Sequence, residues 1–99
     1  MSALIPKEIR EQIPPLYATE DIADPVVYVK LFLDSWTWYI TEISIDGDLA
    51  FGYVVSQFGS ELGYFSLSEI QSIKGSLGIG AERDISFKPT KLSKIKKAS

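Results

Sequence analysis

The spacing of apolar residues changes from one segment to the next, and each change marks an element. Ile5, Ile9 and Ile13 recur at every fourth position, which is one face of a helix. Pro6 suits a first helical position and Glu8 favours the first turn, so residues 6–13 are predicted to be helical. Pro14-Pro15 then stops the helix. "LYATEDIADP" is a polar, acidic connector anchored by Tyr17 and Ile22. From residue 26 the pattern becomes β-branched and aromatic: "VVYVKLFL", "WTWYITEISI" and "LAFGYVVSQF" read as three strands. Asp34-Ser35 closes the first pair of strands. Asp46-Gly47 closes the second as a type I′ hairpin, which requires positive φ at both central residues. Residues 59–63 are expected to turn the chain. "YFSLSEIQSI" begins extended, then changes period, and Ser66 and Glu69 have the spacing of a capping box for a short helix near 67–73. After the glycine-rich "KGSLGIGAER", residues 84–88 are expected to form one more strand. The predicted fold is α+β: an antiparallel β-meander of about 4–5 strands with a short N-terminal helix and a second short helix near 67–73.

Both hairpins together assign side chains to faces, because alternate residues of a strand point to opposite sides. The first turn sets Leu33 opposite Trp36 and Leu31 opposite Trp38. The second sets Trp38 opposite Val55, Ile40 opposite Tyr53 and Glu42 opposite Phe51. One face then collects Val27, Val29, Leu31, Leu33, Trp36, Trp38, Ile40, Leu49, Phe51, Tyr53 and Val55, interrupted by Glu42 and Gln57. This is the expected core, and both tryptophans belong to it. The other face carries Val26, Tyr28, Lys30, Phe32, Thr37, Tyr39, Thr41, Ile43, Ala50, Gly52, Val54 and Ser56, with Gly52 opposite Thr41 leaving a shallow dip. Either "GSLGIG", Ile85 and Phe87 cover this mixed face, or its rings are free to meet a ligand.

Composition narrows the function classes. The 99 residues suit a single domain, with 45% hydrophobic and 23% charged positions. There is no cysteine and no histidine, so disulfides, thiolate chemistry and imidazole bases are excluded. No apolar run reaches the roughly 18 residues of a membrane span, and the N-terminus lacks the pattern of a secretion signal. The expectation is a soluble, cytoplasmic protein without membrane contact. The net charge of −3 is unevenly placed: residues 1–87 hold five Lys or Arg against all 13 Asp or Glu, and residues 88–99 hold five lysines and no acid. Residues 1–89 are therefore expected as one domain, and 90–99 as a basic, flexible tail.

Little in the sequence suggests catalysis. Glu42 on an apolar face is the best single acid–base candidate, with a pKa expected to be raised by burial. Asp46 and Asp48 are explained by the turn rather than by a metal. "GSLGIG" lacks the Lys-Ser/Thr ending of a phosphate loop. No cofactor and no metal is expected.

Taken together, "PPLY", "VVYVKLF", "WTWYITE", "FGYVVS", "ELGYFSLSEI" and "ERDISFKP" resemble domain-of-unknown-function family 2958 across about residues 4–93. "ELGYFSLSEI" is the most specific of these stretches, and the short connector at 18–25 is a minor departure. The resemblance implies a small protein encoded on prokaryotic plasmids, phages or other mobile elements, and it carries over no catalytic residue. The leading expectation is a non-enzymatic binding module whose acidic body meets a basic protein, including a nucleic-acid-binding one. The alternative is a nucleic-acid binder using Tyr28, Lys30, Phe32 and Tyr39 with Lys91, Lys94, Lys96 and Lys97, which the acidic body disfavours. A second alternative is a small enzyme using Glu42. An exposed edge at residues 26–33 could also pair with a second copy as a homodimer.

Overall fold

The computed structural model describes residues 4–75 and 77–98. Ser76, within the "GSLGIG" loop, lies outside the described residues, as do residues 1–3 and 99 of the termini. In chain order the elements are α1 (Lys7–Arg10), β1 (Val26–Val27), β2 (Val29–Leu33), β3 (Trp36–Ile43), β4 (Leu49–Ser56), β5 (Gly59–Ser66), α2 (Leu67–Ser72), β6 (Glu82–Arg83), β7 (Thr90–Lys91) and α3 (Leu92–Ala98). β2 to β6 form one antiparallel sheet in the order β5-β4-β3-β2-β6, and β1 pairs with β7 in a separate ribbon. The α+β meander expected from the sequence is the observed fold. Among the described residues no helix is long and apolar enough to cross a membrane.

The first hairpin has the expected register, with Leu33 opposite Trp36 and Leu31 opposite Trp38, and Asp34 takes the positive φ of 51° that the tight turn needs. The second hairpin lies where Asp46-Gly47 places it, but its loop is longer. Gly47 alone has positive φ (81°), and its N–H donates to the Ser44 carbonyl at 2.9 Å. Type I′ geometry is therefore replaced by a turn over residues 44–47 that leads into the left-handed glycine. The expected pairs Glu42–Phe51 and Ile43–Ala50 form next to this loop.

Further along, the register slips by one residue at a bulge over Thr41: Ile40 faces Gly52, Tyr39 faces Tyr53 and Trp38 faces Val54. The Thr41 hydroxyl donates to the Phe51 carbonyl at 3.1 Å within this irregularity. One extra residue reverses the facing of everything beyond it. Ile43, Ala50 and Val54 thus join Val29, Leu31, Leu33, Trp38 and Ile40 in the main core, beneath Ile5, Ile13, Leu67 and Ile70. Val27, Tyr53 and Val55, all expected in that core, lie instead in a second cluster with Leu92 and Ile95, Tyr53 and Val55 on the opposite face of the sheet. The expected dip at Gly52 is also absent, because the backbone of β3 fills it. A Cβ on Gly52 would stand 1.8 Å from the Tyr39 carbonyl oxygen.

Other boundaries move for identifiable reasons. α1 is a single helical turn rather than the whole of 6–13, because the chain then tightens: the Gln12 and Ile13 N–H groups donate to carbonyls three residues back, those of Ile9 and Arg10. Residues 59–63 are strand rather than turn: the reversal is tighter, with Ser56 opposite Gly59, whose φ is 129°. α2 begins at the predicted cap, where the Ser66 hydroxyl accepts the Glu69 N–H at 3.2 Å. The late strand is Glu82–Arg83 rather than 84–88, and the Phe87 N–H turns back to the Asp84 carbonyl at 3.2 Å.

The greatest difference lies at residues 90–98, where the sequence suggests a flexible tail and the structure has β7 and α3. Val26 pairs with Lys91 and Val27 with Thr90. Asp24 receives both the N–H and the hydroxyl of Ser93 at 2.8 Å, and the Leu92 N–H reaches the Pro25 carbonyl at 2.9 Å. Leu92 and Ile95, three residues apart, bury themselves on Val27 and Tyr53. The lysine count concealed this helical pair.

Candidate functional site

Glu42 is buried as expected, yet it is arranged for holding a loop. Its Oε1 accepts the Tyr17 N–H at 2.8 Å and its Oε2 accepts the Thr19 N–H at 2.9 Å, with the Thr19 hydroxyl also donating to Oε2. Tyr17 carries a φ of 72°, which turns two nearby amides toward one anion. Burial pushes the carboxyl upward, but the Thr19 hydroxyl and then the Tyr17 and Thr19 amides outweigh it, so its pKa is lowered. This corrects the raised value expected for an acid–base group. A buried carboxylate stabilised in its charged form is a poor proton donor near neutrality.

Asp46 and Asp48 are likewise committed to structure. Asp46 Oδ1 accepts the Ser44 hydroxyl at 2.5 Å and the Asp48 N–H at 3.0 Å. Asp48 accepts the Ser68 N–H at 2.9 Å and the Ser66 hydroxyl at 3.2 Å, which ties the β3–β4 loop to the start of α2. Among the described residues no group of three acidic side chains is placed to hold a metal ion.

The proposed aromatic surface is divided by the fold. Tyr28 packs against the main core, whereas Tyr39 packs against the second cluster. The Tyr39 ring lies 6.2 Å from Tyr53 and 6.3 Å from Phe87, and burial is the leading cause of its raised pKa. Lys30 sits 5.9 Å above the Tyr39 ring and 3.9 Å from Asp84. Phe32 is partly exposed. Lys96 sits 5.3 Å above the Tyr53 ring, while Lys91, Lys94 and Lys97 lie on the exposed side of β7 and α3. α3 and Phe87 thus cover much of the ring surface. Of the hydrophobic segments expected there, Phe87 contributes and Ile85 remains exposed.

The open surface of the sheet lies elsewhere. The edge at residues 26–33 is largely occupied: β7 takes Val26 and Val27, β6 takes Leu31 and Phe32, and the Asp84 N–H takes the Lys30 carbonyl at 2.9 Å. The other edge is β5, eight residues long and, among the described residues, paired only with β4. Clefts adjoin it on both faces. On the main-core face, Trp36, Trp38, Phe65, Glu69, Ile70 and Ile73 line a cleft of about 320 Å³. Beside it, Trp36, Val54, Phe58 and Glu61 line another of about 310 Å³. On the opposite face, Tyr17, Phe51, Leu62 and Tyr64 wall a cleft of about 290 Å³ that also includes Glu20, Glu42 and Lys96. Every β5 residue except Gly63 borders one of these clefts.

Trp36 joins the two clefts on the main-core face. Its ring stacks on buried Trp38 at 6.0 Å and 16°, yet remains 39% exposed. The expected core role therefore holds for Trp38 and only in part for Trp36. Sequence reasoning missed this edge because "GSELG" resembles a turn. The alternation of Leu62 and Tyr64 against Glu61 and Phe65 was the signal available.

A five-stranded antiparallel sheet with short helices defines an α+β protein, in which no catalytic set is assembled among the described residues. The chain belongs to the family described as "Protein of unknown function (DUF2958)", which matches residues 4–98. No curated protein and no solved structure matches the chain.

Proposed function

We propose that this protein is a non-enzymatic, cytoplasmic binding module of a mobile genetic element, and that it takes an extended segment of a partner protein along β5. The carrying observation is an eight-residue open edge with clefts on both faces. An added strand gains main-chain hydrogen bonds from the edge, while its alternate side chains enter clefts on opposite sides. The two clefts on the main-core face contain Glu61 and Glu69 and no Lys or Arg, which favours a basic partner. The mobile-element setting rests on the family resemblance. Nucleic-acid binding through the rings is less well supported, because Tyr39 and Tyr53 lie partly under Phe87 and α3.

A photo-crosslinking residue at Leu62, installed in the native host, tests the binding reading. The expected product is one partner, crosslinked through an extended, basic segment. The same residue at Ile45, which is 93% exposed on the hairpin loop, is the control. Crosslinking at Ile45 but not Leu62, or equal products from both, would overturn the reading.

A further inference from the structure

On the α3 side of the sheet, successive rings already hold ammonium groups. Lys30, on β2, lies 5.9 Å above Tyr39 of β3, and Lys96, on α3, lies 5.3 Å above Tyr53 of β4. The next ring outward is Tyr64 of β5, which is half exposed. Tyr64 lies 4.8 Å from Phe51 and 6.3 Å from Tyr17, so three rings form one wall of the cleft. The carboxylates of Glu20 and Glu42 line the same cleft. Burial comes first among the causes that raise the Tyr64 pKa, followed by interactions with Tyr17 and the charges of Glu42 and Glu20. Glu20 and Glu42 thus place acidic residues in the cleft that the phenol borders. Among the described residues Lys96 is the one cation lining the cleft, against two carboxylates.

We infer that the strand added to β5 places a lysine or arginine side chain in the cleft walled by Tyr17, Phe51 and Tyr64, and that this cation selects the partner. The inference rests on the β5-edge reading. An aromatic wall over fixed negative charge attracts a cation by its quadrupole and by Coulomb's law together. A second copy of this chain is a poor occupant, because the charged residue of its own β5 is an acid, Glu61.

Two capped peptides of eight residues, one alternating valine with lysine and the other valine with glutamine, test the inference against the full chain. Binding is followed by the backbone amide signals of residues 59–66. The lysine peptide should bind about tenfold more tightly, the ratio expected when a cation–π contact is added to charge attraction. Tyr64→Leu should reduce that ratio to near one. Tyr17→Leu, which changes a residue 58% exposed on a loop, should reduce it independently if Tyr64→Leu disturbs the strand. Equal binding of both peptides through residues 59–66 would overturn the cation site and leave the edge reading standing. Binding of neither, shifts confined to other residues, or a β5-mediated homodimer in ultracentrifugation would overturn both.

Discussion

Replacing Glu42 with glutamine isolates the role of its charge at nearly constant shape. The carboxylate accepts three hydrogen bonds, two of them from backbone amides, and it is only 3% exposed. Glutamine retains one acceptor oxygen and presents an N–H₂ where the other stood. That oxygen can serve Tyr17 or the two donors of Thr19, but not both, so at least one buried amide loses its acceptor. A hydrogen bond to a charged group contributes about 1.5–3 kcal/mol, and the surviving bonds weaken to the neutral range, giving a loss of roughly 2–4 kcal/mol. For a chain of this size each kcal/mol is about 4–8 °C in Tm, so a fall of roughly 10–20 °C is expected at neutral pH. The folded-state carboxyl titrates below its ordinary value. Its contribution is therefore complete above the unfolded pKa and is lost as pH falls through the folded one. Urea melts followed by tryptophan fluorescence at pH 7, and then at decreasing pH below 4, should show wild type and variant converging. A variant as stable as wild type, or a stability gap unchanged in acid, would refute the assignment of Glu42 as a charged loop clasp.

Gly52→Ala should destabilise by about 3 kcal/mol or more, since the new Cβ meets backbone it cannot displace. Gly63→Ala, with open space around its Cβ, should shift the same urea midpoint little. Ser66→Ala removes the cap on Glu69 and should cost about 1 kcal/mol in thermal unfolding. Ile95→Ala should cost about 2–3 kcal/mol and speed tryptic cleavage at Lys94 and Lys96, because α3 loses half its buried pair.

The expected fold and several of its details came from signals that act locally. Asp34-Ser35 set a tight turn and the Ser66–Glu69 spacing set a cap, each through the conformations available to a few residues. The facing of β4 was not legible in this way. Alternation in "LAFGYVVS" puts the larger apolar side chains, Leu49, Phe51, Tyr53 and Val55, on one side, which the sequence pattern assigns to the core, and the Thr41 bulge reverses that assignment. The position of Glu42 opposite Phe51 was legible from its distance to the turn. Its partners were not, because a polar connector held by one carboxylate leaves no hydrophobic period. The candidate site was the least legible part, since it combines an edge with clefts formed by distant segments.

The bulge also determines which surfaces are available for binding. In the expected register, Tyr53 and Val55 would enter the main core, and Leu92 and Ile95 would lack the apolar bed they now cover. By turning Tyr53 to the far side, the extra residue gives that face a second core and lets α3 dock there. Phe51 goes to the same side and backs Tyr64 at 4.8 Å, supplying one wall of the β5 cleft. On the main-core face, small Ala50 and Gly52 occupy β4 beside Val54, leaving Phe65 and Trp36 to define the neighbouring clefts. Both faces of β5 thus owe their relief to one irregularity two strands away. A substitution that altered the bulge would be expected to disturb the docking of α3 and the shape of the binding edge together, without touching either directly.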